Sequence, residues 1–210
     1  MRLYNTPLSS NVRRVSLTAH VLGVPLELVE VDLLSDADRM RLLEINPNGK
    51  LPVLEDGDFM LWESCAIMQY LADQSPHQEL YPQAPQARAD INRWMFWACE
   101  HFAPAVGVLT FEHIWKGMIG MGEADARELA RGERDLLQFA AVLDAQLAGR
   151  DWVTGKALSL ADLAIAPSLM YMELGRLPLA QFPNLMAWFE RIKALDAWQQ
   201  TEARWESALA

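Results

Sequence analysis

A polar stretch with three prolines, residues 73–86 (DQSPHQELYPQAPQ), divides the sequence into two parts with different hydrophobic periods. Before it, some segments alternate apolar and polar residues, whereas others repeat apolar residues at helical spacing. After it, only the helical spacing is found. Because alternation is typical of strands, the first part is predicted to be mixed α/β and the second all-helical. Polar, proline-bearing segments commonly link domains, so we predict domains at 1–77 and 87–210 joined by a linker at 78–86.

The first part is predicted to fold in the order strand, helix, strand, helix, strand, strand, helix. The strands are expected near Leu3, in LELVEVDL (26–33), in KLPVLED (50–56) and in DFMLWE (58–63), and the helices over 12–22, 35–43 and 64–72. Asp56-Gly57 lies between the last two strands and is a strong hairpin signal. Crossover connections followed by a hairpin predict a small mixed sheet flanked by helices.

The second part is predicted to contain four helices. They are expected from Ala87 with a bend at Pro104, over Glu123 to Leu147, from Ser159 with Pro167 in the interior, and after Pro183-Asn184. Ser159 and Asp162 match a capping box, in which the serine side chain and the acid at the third helical position each accept a backbone N–H of the other. We expect this pair to serve folding and not chemistry.

Composition excludes several classes of protein. The chain has 210 residues and a formal net charge of -10, which disfavours nucleic acid and anionic membrane surfaces as partners. No apolar run is long enough for a membrane helix, and the opening MRLYNTP is not a signal peptide, so we expect a cytoplasmic protein. Cys65 and Cys99 form neither a disulfide framework nor a C-x-x-C motif, and the histidines show no metal-ligand spacing, so no metal is expected.

Five segments then point to a known family. They are LYNTPLSSNVRRV, NPNGKLPVLEDGD, LWESCAIMQYLAD, GKALSLADLAIAP and FPNLMAWFERIKALDAW, in this order along the chain. Through these segments, which are spread along essentially its whole length, the chain resembles a cytosolic glutathione S-transferase of the serine type. The resemblance implies an N-terminal thioredoxin-like α/β domain (βαβαββα) that holds glutathione, an all-α C-terminal domain, and a homodimer.

The resemblance places the activating hydroxyl group in the loop before the first helix. In serine-type relatives that serine lies two residues after a proline and four before an Arg-Arg-Val run, which here is Ser9. Ser10 and Asn11 stay open as alternatives, because bacterial relatives often use a Thr or Ser together with an Asn in this loop. Another alternative is that one of these side chains only caps the helix. Arg13 and Arg14 are expected to form a solvated or salt-bridged face.

The resemblance also implies where glutathione binds. Pro52 matches the family's cis-proline, which lets the backbone N–H and C=O of Leu51 pair with the cysteinyl part like an added strand. Lys50 can reach the glycyl carboxylate. At the start of the third helix, Ser64 suits the γ-glutamyl carboxylate and Glu63 suits the α-ammonium. The alternatives are a turn proline beside a surface lysine, and an ordinary helix cap.

One pair of positions departs from the family pattern. Several plant and bacterial relatives carry a His-Lys pair on the second helix that also contacts the glycyl carboxylate, whereas this chain has Ala37 and Asp38. Arg39 or Arg41 can take over that contact. What replaces the missing pair is therefore left open by the sequence.

The electrophile pocket is expected against the helical domain, in an aromatic-rich stretch. The candidate lining residues are Phe102, Val106, Thr110 and Trp115. The competing interpretation is that these side chains belong to the core. The segment KGMIGMGE (116–123) is expected to be a mobile loop over the pocket, and Trp205 is expected to cover it as well.

These features predict an enzyme that uses glutathione as co-substrate and adds its thiolate to an apolar electrophile, with a role in detoxification. Peroxide reduction, dehalogenation or isomerisation would use the same thiolate and stay open. A catalytically silent binding or regulatory protein of the same fold is a further alternative. Disulfide exchange at Ser9 is excluded, because relatives that reduce disulfides carry a cysteine in this loop. The electrophile itself is not specified by the sequence.

Overall fold

The computed structural model describes residues 1–202, so Trp205 lies outside the described residues. The described residues form two compact units, Met1–Tyr81 together with 195–202, and Pro82–Ala194. Residues 195–202 thus group with the first unit, although the predicted boundary assigned them to the helical domain. They do so because Trp198 packs on Arg13 of the first unit.

The first unit has the predicted order of elements. They are β1 (Arg2–Asn5), α1 (Ser10–Leu22), β2 (Glu27–Glu30), α2 (Asp36–Ile45), β3 (Val53–Asp56), β4 (Phe59–Trp62) and α3 (Ser64–Gln74). The predicted hairpin joins β3 and β4, with Asp56 paired to Phe59 and Gly57 in the turn at a φ of 60°. A glycine suits that turn because the positive φ costs it no steric penalty.

The four strands form one mixed sheet in the order β2-β1-β3-β4. β1 is parallel to β2 and antiparallel to β3, and β3 is antiparallel to β4. The core of this unit contains Leu3 and Leu54 from adjacent strands, together with Leu17 from α1 and Met68 from α3, none of which is exposed. Burial of these side chains holds α1 and α3 against each other and against the sheet.

The register of the sheet brings three loops to one of its ends. Tyr4, near the end of β1, pairs with Val53, the first residue of β3, and Val53 pairs with Trp62, the last residue of β4. The segment after β1, the segment before β3 and the segment after β4 therefore all start at the same end. These segments are 6–9, 50–52 and 63–64.

The second unit is helical, as predicted. It contains α4 (Pro85–Trp97), α5 (Ala103–Thr110), α6 (Lys116–Met118), α7 (Ala126–Leu147), α8 (Leu160–Ile165) and α9 (Pro183–Lys193). Two π-helical segments, Ala98–Phe102 and Phe111–Trp115, join α4 to α5 and α5 to α6. The change of helix type near the predicted bend therefore begins before Pro104, which is the second residue of α5. A short helix that the sequence analysis missed, α10 (Asp196–Gln200), groups with the first unit.

The predicted capping box at the start of α8 is confirmed. Asp162 is fully buried and accepts hydrogen bonds from the backbone N–H groups of Val153 and Ser159 at 2.8 and 3.0 Å. It also accepts from the Ser159 hydroxyl group at 2.8 Å and from Nε1 of Trp188 at 2.9 Å. Burial raises the pKa of Asp162, whereas these donors favour its charged form and oppose that rise.

Candidate active site

Ser9 is the N-cap residue of α1. Its Oγ accepts a hydrogen bond from the backbone N–H of Val12 at 3.2 Å, and its own N–H donates to the carbonyl oxygen of Thr6 at 3.1 Å. A hydroxyl group has one donor and two acceptor positions. Within residues 1–202 no group accepts the hydroxyl hydrogen of Ser9, whose side chain is only partly buried. Capping and donation to a ligand are therefore compatible at this residue.

Arg14 connects the start of α1 with the start of α3. Its Nη1 lies 2.7 Å from Oδ1 of Asn11 and 3.4 Å from Oγ of Ser64. The expectation of a solvated face is wrong for Arg14, because this residue is only 2% exposed. Its guanidinium instead supplies a buried positive charge next to two of the predicted site residues.

The Arg14 contact also fixes the orientation of the Asn11 amide. A guanidinium group is only a donor, so it selects the oxygen end of a neighbouring amide. With Oδ1 facing Arg14, the Nδ2 group of Asn11 points its two N–H donors elsewhere, on an exposed side chain. Asn11 can therefore offer a donor to a ligand, as the sequence analysis allowed.

A solvated face is wrong for Arg13 as well, because this side chain is also buried. Arg13 is 5% exposed, its Nη2 donates to the carbonyl oxygen of Trp198 at 2.9 Å, and its guanidinium carbon lies 3.7 Å from the centre of the Trp198 ring. Such a cation–π contact adds to the hydrogen bond. Arg13 therefore holds α10 against α1.

Glu63 precedes α3 in an unusual backbone conformation. Its φ is 73° and its ψ is 112°, in the region that side chains other than glycine rarely occupy. Among residues 1–202, no group forms a hydrogen bond or an ion pair with the Glu63 carboxylate, which is exposed. Ser64, the first residue of α3, is buried and has the positive end of that helix beside it.

The loop before β3 carries Lys50, Leu51 and Pro52, and the Leu51–Pro52 bond is cis, as predicted. The buried side chain of Asn46 holds this loop, since its Nδ2 donates to the carbonyl oxygen of Lys50 at 2.7 Å and its Oδ1 accepts from the N–H of Asn48 at 3.0 Å. In the described part of the chain, the Lys50 side chain has no hydrogen-bonding or charged partner. Lys50 is exposed and Leu51 is partly exposed.

At the positions on α2 that depart from the family pattern, the charged side chains have local partners. Asp38 accepts a hydrogen bond from the N–H of Asp32 at 3.0 Å, which is a local structural role. Arg39 lies 3.8 Å from Asp36 in a loose surface pair. Burial and the hydrogen bond to Glu55 raise the pKa of Tyr4, and the charges of Arg2 and Arg41 oppose that rise.

The predicted site residues thus divide by location. Arg14 contacts both Asn11 and Ser64, and Ser9 caps the helix that carries Arg14. The loop with Lys50, Leu51 and Pro52 starts at the same end of the sheet. Arg14 is the residue that the sequence analysis missed. The sequence shows that Arg14 lies five residues after Ser9. It does not show that Arg14 contacts Ser64, which is fifty positions further along the chain.

The predicted electrophile-pocket residues lie in the second unit and are mostly closed to solvent. Phe102 is 0%, Val106 3% and Thr110 5% exposed, and the hydroxyl group of Thr110 donates to the carbonyl oxygen of Val106 at 3.1 Å. Trp115 is partly exposed and its ring lies 5.3 Å from that of Tyr171, edge to face. These contacts are those of a helical core, and a role in the pocket stays a prediction.

Two negative findings concern the described residues. In residues 1–202, no group of three or more His, Cys, Asp or Glu side chains is arranged to hold a metal ion. None of the helices described there combines the length and apolar character that crossing a membrane requires.

Comparisons with known proteins cover both units. Residues 3–79 match the glutathione S-transferase N-terminal domain, and residues 98–196 match the glutathione S-transferase C-terminal domain. Glutathione S-transferase 3 of Zea mays is 34% identical over 209 residues, which are 97% of this chain and 93% of that protein. Glutathione S-transferase GstB of Escherichia coli K12 is 33% identical over 192 residues, or 88% of each chain.

A solved structure agrees with these matches. The theta-class glutathione S-transferase of Xanthomonas axonopodis pv. citri, solved with glutathione bound, superposes with a TM-score of 0.84 at 31% identity. The superposition covers 95% of both chains. Sequence and backbone therefore point to the same family over nearly the whole length.

Proposed function

The chain belongs to the glutathione S-transferase family, and from this premise we propose that it activates the glutathione thiol at Ser9 and adds the thiolate to an apolar electrophile. The enzyme is a glutathione transferase, and both family domains are present along the chain. This favours conjugation over the peroxidase, dehalogenase, isomerase and silent-protein alternatives. The observation that carries the proposed role of Ser9 is its hydroxyl hydrogen, which no group in residues 1–202 accepts.

The energy that thiol activation requires is modest. A thiol with a pKa near 8.5 needs a shift of about 1.5 units to be half ionised at neutral pH, or about 2 kcal/mol. One hydrogen bond to a charged group contributes about 1.5 to 3 kcal/mol. The N-terminus of α1 adds about 0.3 to 1 kcal/mol. A donated hydroxyl hydrogen is therefore sufficient without a general base.

Asn11 is proposed as a second donor to the thiolate. Arg14 engages Oδ1 of Asn11 at 2.7 Å, so the Nδ2 donors are directed away from the guanidinium. Ser10 is the first residue of α1 and remains the alternative donor if Asn11 does not contact the sulfur. Both assignments predict a partial loss of activation, smaller than that caused by removing the Ser9 hydroxyl group.

For the rest of the tripeptide we propose contacts around the same end of the sheet. The cysteinyl backbone pairs with Leu51 next to Pro52, the γ-glutamyl carboxylate binds Ser64 at the start of α3, and the α-ammonium binds Glu63. Arg14 adds positive charge beside Ser64, from 3.4 Å away. A buried arginine at this place favours a carboxylate over a neutral ligand.

The glycyl carboxylate is proposed to bind Lys50, with Arg41 as its second cation. Lys50 is exposed, and its loop is held in place by Asn46. Because Ala37 and Asp38 replace the His-Lys pair of the relatives, these two cations take on the contact. Substituting Lys50 by Met is therefore expected to raise the Kd for glutathione more than substituting Arg39 by Met.

The proposal is tested by titrating the protein with glutathione and recording the thiolate absorbance against pH. For the unmodified protein we expect saturable binding and an apparent thiol pKa below about 7.5, against about 8.5 for the free thiol. Ser9→Ala should return the thiol pKa toward the free value with little change in Kd. Ser10→Ala is the matched control. If Ser10→Ala abolishes the thiolate signal and Ser9→Ala does not, the assignment of Ser9 is refuted.

We also propose that the protein is a cytoplasmic homodimer with a role in detoxification, as in the relatives that it resembles. Support for self-association comes from β4, an edge strand whose side chains Phe59, Met60 and Trp62 are 48%, 37% and 38% exposed. Exposed apolar side chains on an unpaired strand favour a protein partner. Sedimentation of the protein and of Trp62→Lys tests this, with a shift toward monomer expected for the variant.

A further inference from the structure

The loop after α2 contains the only Asn-Gly pair of the sequence, Asn48-Gly49, directly before Lys50. Asn48 is exposed. In such a pair the backbone nitrogen of the glycine can attack the side-chain amide carbon of the asparagine, because no Cβ on the glycine obstructs the approach. The other asparagines precede residues with side chains, and Asn46 precedes a proline, whose nitrogen has no hydrogen to release. Asn48 is therefore the asparagine at which this reaction is least obstructed.

Two backbone groups fix the orientation of the neighbouring Asn46 amide. The carbonyl oxygen of Lys50 is only an acceptor and receives Nδ2 of Asn46 at 2.7 Å, whereas the N–H of Asn48 is only a donor and reaches Oδ1 of Asn46 at 3.0 Å. Oδ1 of Asn46 accepts a second hydrogen bond, from Nδ2 of Asn48 at 3.0 Å. This contact requires a donor at the end of side chain 48, which an amide supplies and an ionised carboxylate does not.

The backbone of the Asn48-Gly49 pair takes part in the same group of hydrogen bonds. The N–H of Gly49, whose nitrogen is the attacking atom, donates to the carbonyl oxygen of Asn46 at 2.8 Å. This hydrogen bond has to open before the nitrogen can attack. The rate of the reaction is therefore set by how often the loop opens, and local opening of a surface loop costs less free energy than global unfolding.

We propose that Asn48 is a site of spontaneous deamidation and that the deamidated protein binds glutathione more weakly. The nitrogen of Gly49 forms a bond to Cγ of Asn48, the bond from Cγ to Nδ2 breaks, and ammonia leaves with the hydrogen of the Gly49 N–H. Water then opens the resulting succinimide ring. Opening at one carbonyl carbon gives aspartate, and opening at the other gives isoaspartate, in which the main chain runs through the side-chain carbons of residue 48.

Both products weaken the hold of Asn46 on the loop. In the aspartate product a carboxylate faces Oδ1 of Asn46, so two acceptors meet and the hydrogen bond is lost. In the isoaspartate product the main chain is longer just before Gly49, which displaces the groups that Asn46 contacts. Each product also adds a negative charge two residues before Lys50, which is proposed to bind the glycyl carboxylate. In this respect the inference rests on the proposed function.

Bound glutathione should in turn slow the reaction. The proposed contacts with Lys50 and Leu51 require the closed loop, and a ligand that binds only the closed form lowers the open fraction by the factor 1 + [L]/Kd. S-methylglutathione is the probe, because it has no free thiol. At about 100 times its Kd, we expect deamidation to slow by about tenfold or more.

The experiment ages the full chain in mildly alkaline buffer and follows the tryptic peptide 42–50 (LLEINPNGK) by mass spectrometry. We expect an amide-to-acid conversion at Asn48 and not at Asn46, and a slower one with S-methylglutathione present. The Kd for glutathione, measured by calorimetry, should rise with the extent of conversion by about three- to tenfold, as loss of a hydrogen bond gives. Asn48→Asp should show the raised Kd without ageing. Asn48→Gln should keep its Kd during the same ageing, because glutamine closes such a ring much more slowly.

Gln138→Glu is the matched control for the added charge, because Gln138 is exposed on α7 in the second unit. It should bind glutathione as the unmodified protein does. The inference is overturned if Asn48 stays intact for as long as the protein remains folded, or if Asn48→Asp binds glutathione with an unchanged Kd. An ageing rate that S-methylglutathione does not alter also overturns it. Failure of the proposed function is distinct, because the fresh protein would then bind no glutathione.

Discussion

Ser9 and Ser159 stand at the same position of two helices, since each is the residue immediately before the first helical residue of α1 and α8. The hydroxyl group of Ser159 is buried and donates to Asp162 at 2.8 Å. The hydroxyl group of Ser9 is only partly buried and accepts from Val12, and no residue described here accepts its hydrogen. One serine has its donor occupied by the fold, and the other has it available.

The difference arises three residues further along each helix. The third helical position after Ser159 is Asp162, a carboxylate that reaches back to the serine, whereas the corresponding position after Ser9 is Val12. A valine offers no acceptor, so Ser9 keeps its hydrogen. The comparison shows that a single nearby side chain decides whether a capping serine is structural or available for chemistry.

The largest effect is expected from removing the acceptor of the structural cap. Asp162→Ala leaves the donors of Val153, Ser159 and Trp188 buried and without their acceptor, at about 1 to 3 kcal/mol for each. We expect a loss of about 3 kcal/mol or more in the free energy of unfolding, measured by urea denaturation. Asp151→Ala is the control, because Asp151 forms an exposed ion pair with Arg191 and should cost less than about 1 kcal/mol.

The next effect concerns the free hydroxyl group. Ser9→Ala removes the hydrogen bond that we propose to the thiolate, worth about 1.5 to 3 kcal/mol, so kcat/KM should fall by about 10- to 100-fold. Its free energy of unfolding should fall by only about 1 kcal/mol, the usual cost of a lost cap. Steady-state conjugation kinetics and urea denaturation on the same variant measure both. A stability loss above that of Asp162→Ala would remove the contrast between the two serines.

A smaller effect is expected for Ser159→Ala. It removes the hydroxyl group, but Asp162 still accepts the hydrogen bond from the backbone N–H of residue 159. We therefore expect a loss of about 0.5 to 2 kcal/mol in the free energy of unfolding. The kcat/KM for conjugation should stay within about twofold of that of the unmodified protein, because Ser159 is expected to make no contact with the transition state. Reduced activity of the folded variant would show that Ser159 is not purely structural.

The smallest effect is a pH dependence at a third helix start. Glu112 accepts from Lys116 at 2.8 Å and from the N–H of Asp125, the N-cap of α7, at 2.6 Å. The Lys116 hydrogen bond, followed by that of Asp125, lowers the pKa of Glu112 from its ordinary 4.5. The folded pKa lies below the unfolded one, so the stabilisation is present above 4.5 and is lost as the pH falls through the folded value.

Thermal unfolding against pH checks this expectation. Glu112→Gln should flatten the decline in unfolding temperature on the acid side of pH 4.5 and should lower that temperature at neutral pH. The Ser9 hydroxyl group contacts no carboxylate within residues 1–202, so the acid-side slope in Ser9→Ala should match that of the unmodified protein. An unchanged slope in Glu112→Gln would contradict the assignment.

Local sequence signals were sufficient for most of the fold. Alternation in LELVEVDL predicts β2, glycine at the turn predicts the hairpin of β3 and β4, and the pair Ser159 and Asp162 predicts the start of α8. Each signal depends on residues within a few positions of each other. The π-helical segments and α10 were missed because helical spacing alone does not distinguish helix types, and α10 is only five residues long.

The candidate site was predictable only in part. The residue types at Ser9, Pro52 and Ser64 follow from motifs, but their roles in binding and catalysis stay predictions. The burial of Arg13 and Arg14 was not predictable from nearby residues, because their partners Trp198 and Ser64 are distant in the sequence. A charged side chain is usually exposed, and this general rule fails here because each guanidinium has specific acceptors.

The backbone of Glu63 has a consequence for engineering the protein. A φ of 73° is unfavourable for a glutamate and costs on the order of 1 to 3 kcal/mol, whereas glycine adopts it freely. Replacing Glu63 by glycine would relieve this strain but delete the carboxylate proposed to bind the ammonium group. Selection for heat resistance alone would therefore favour glycine at this position, and the selected variant is expected to bind glutathione more weakly. Stability and function thus conflict at a single residue.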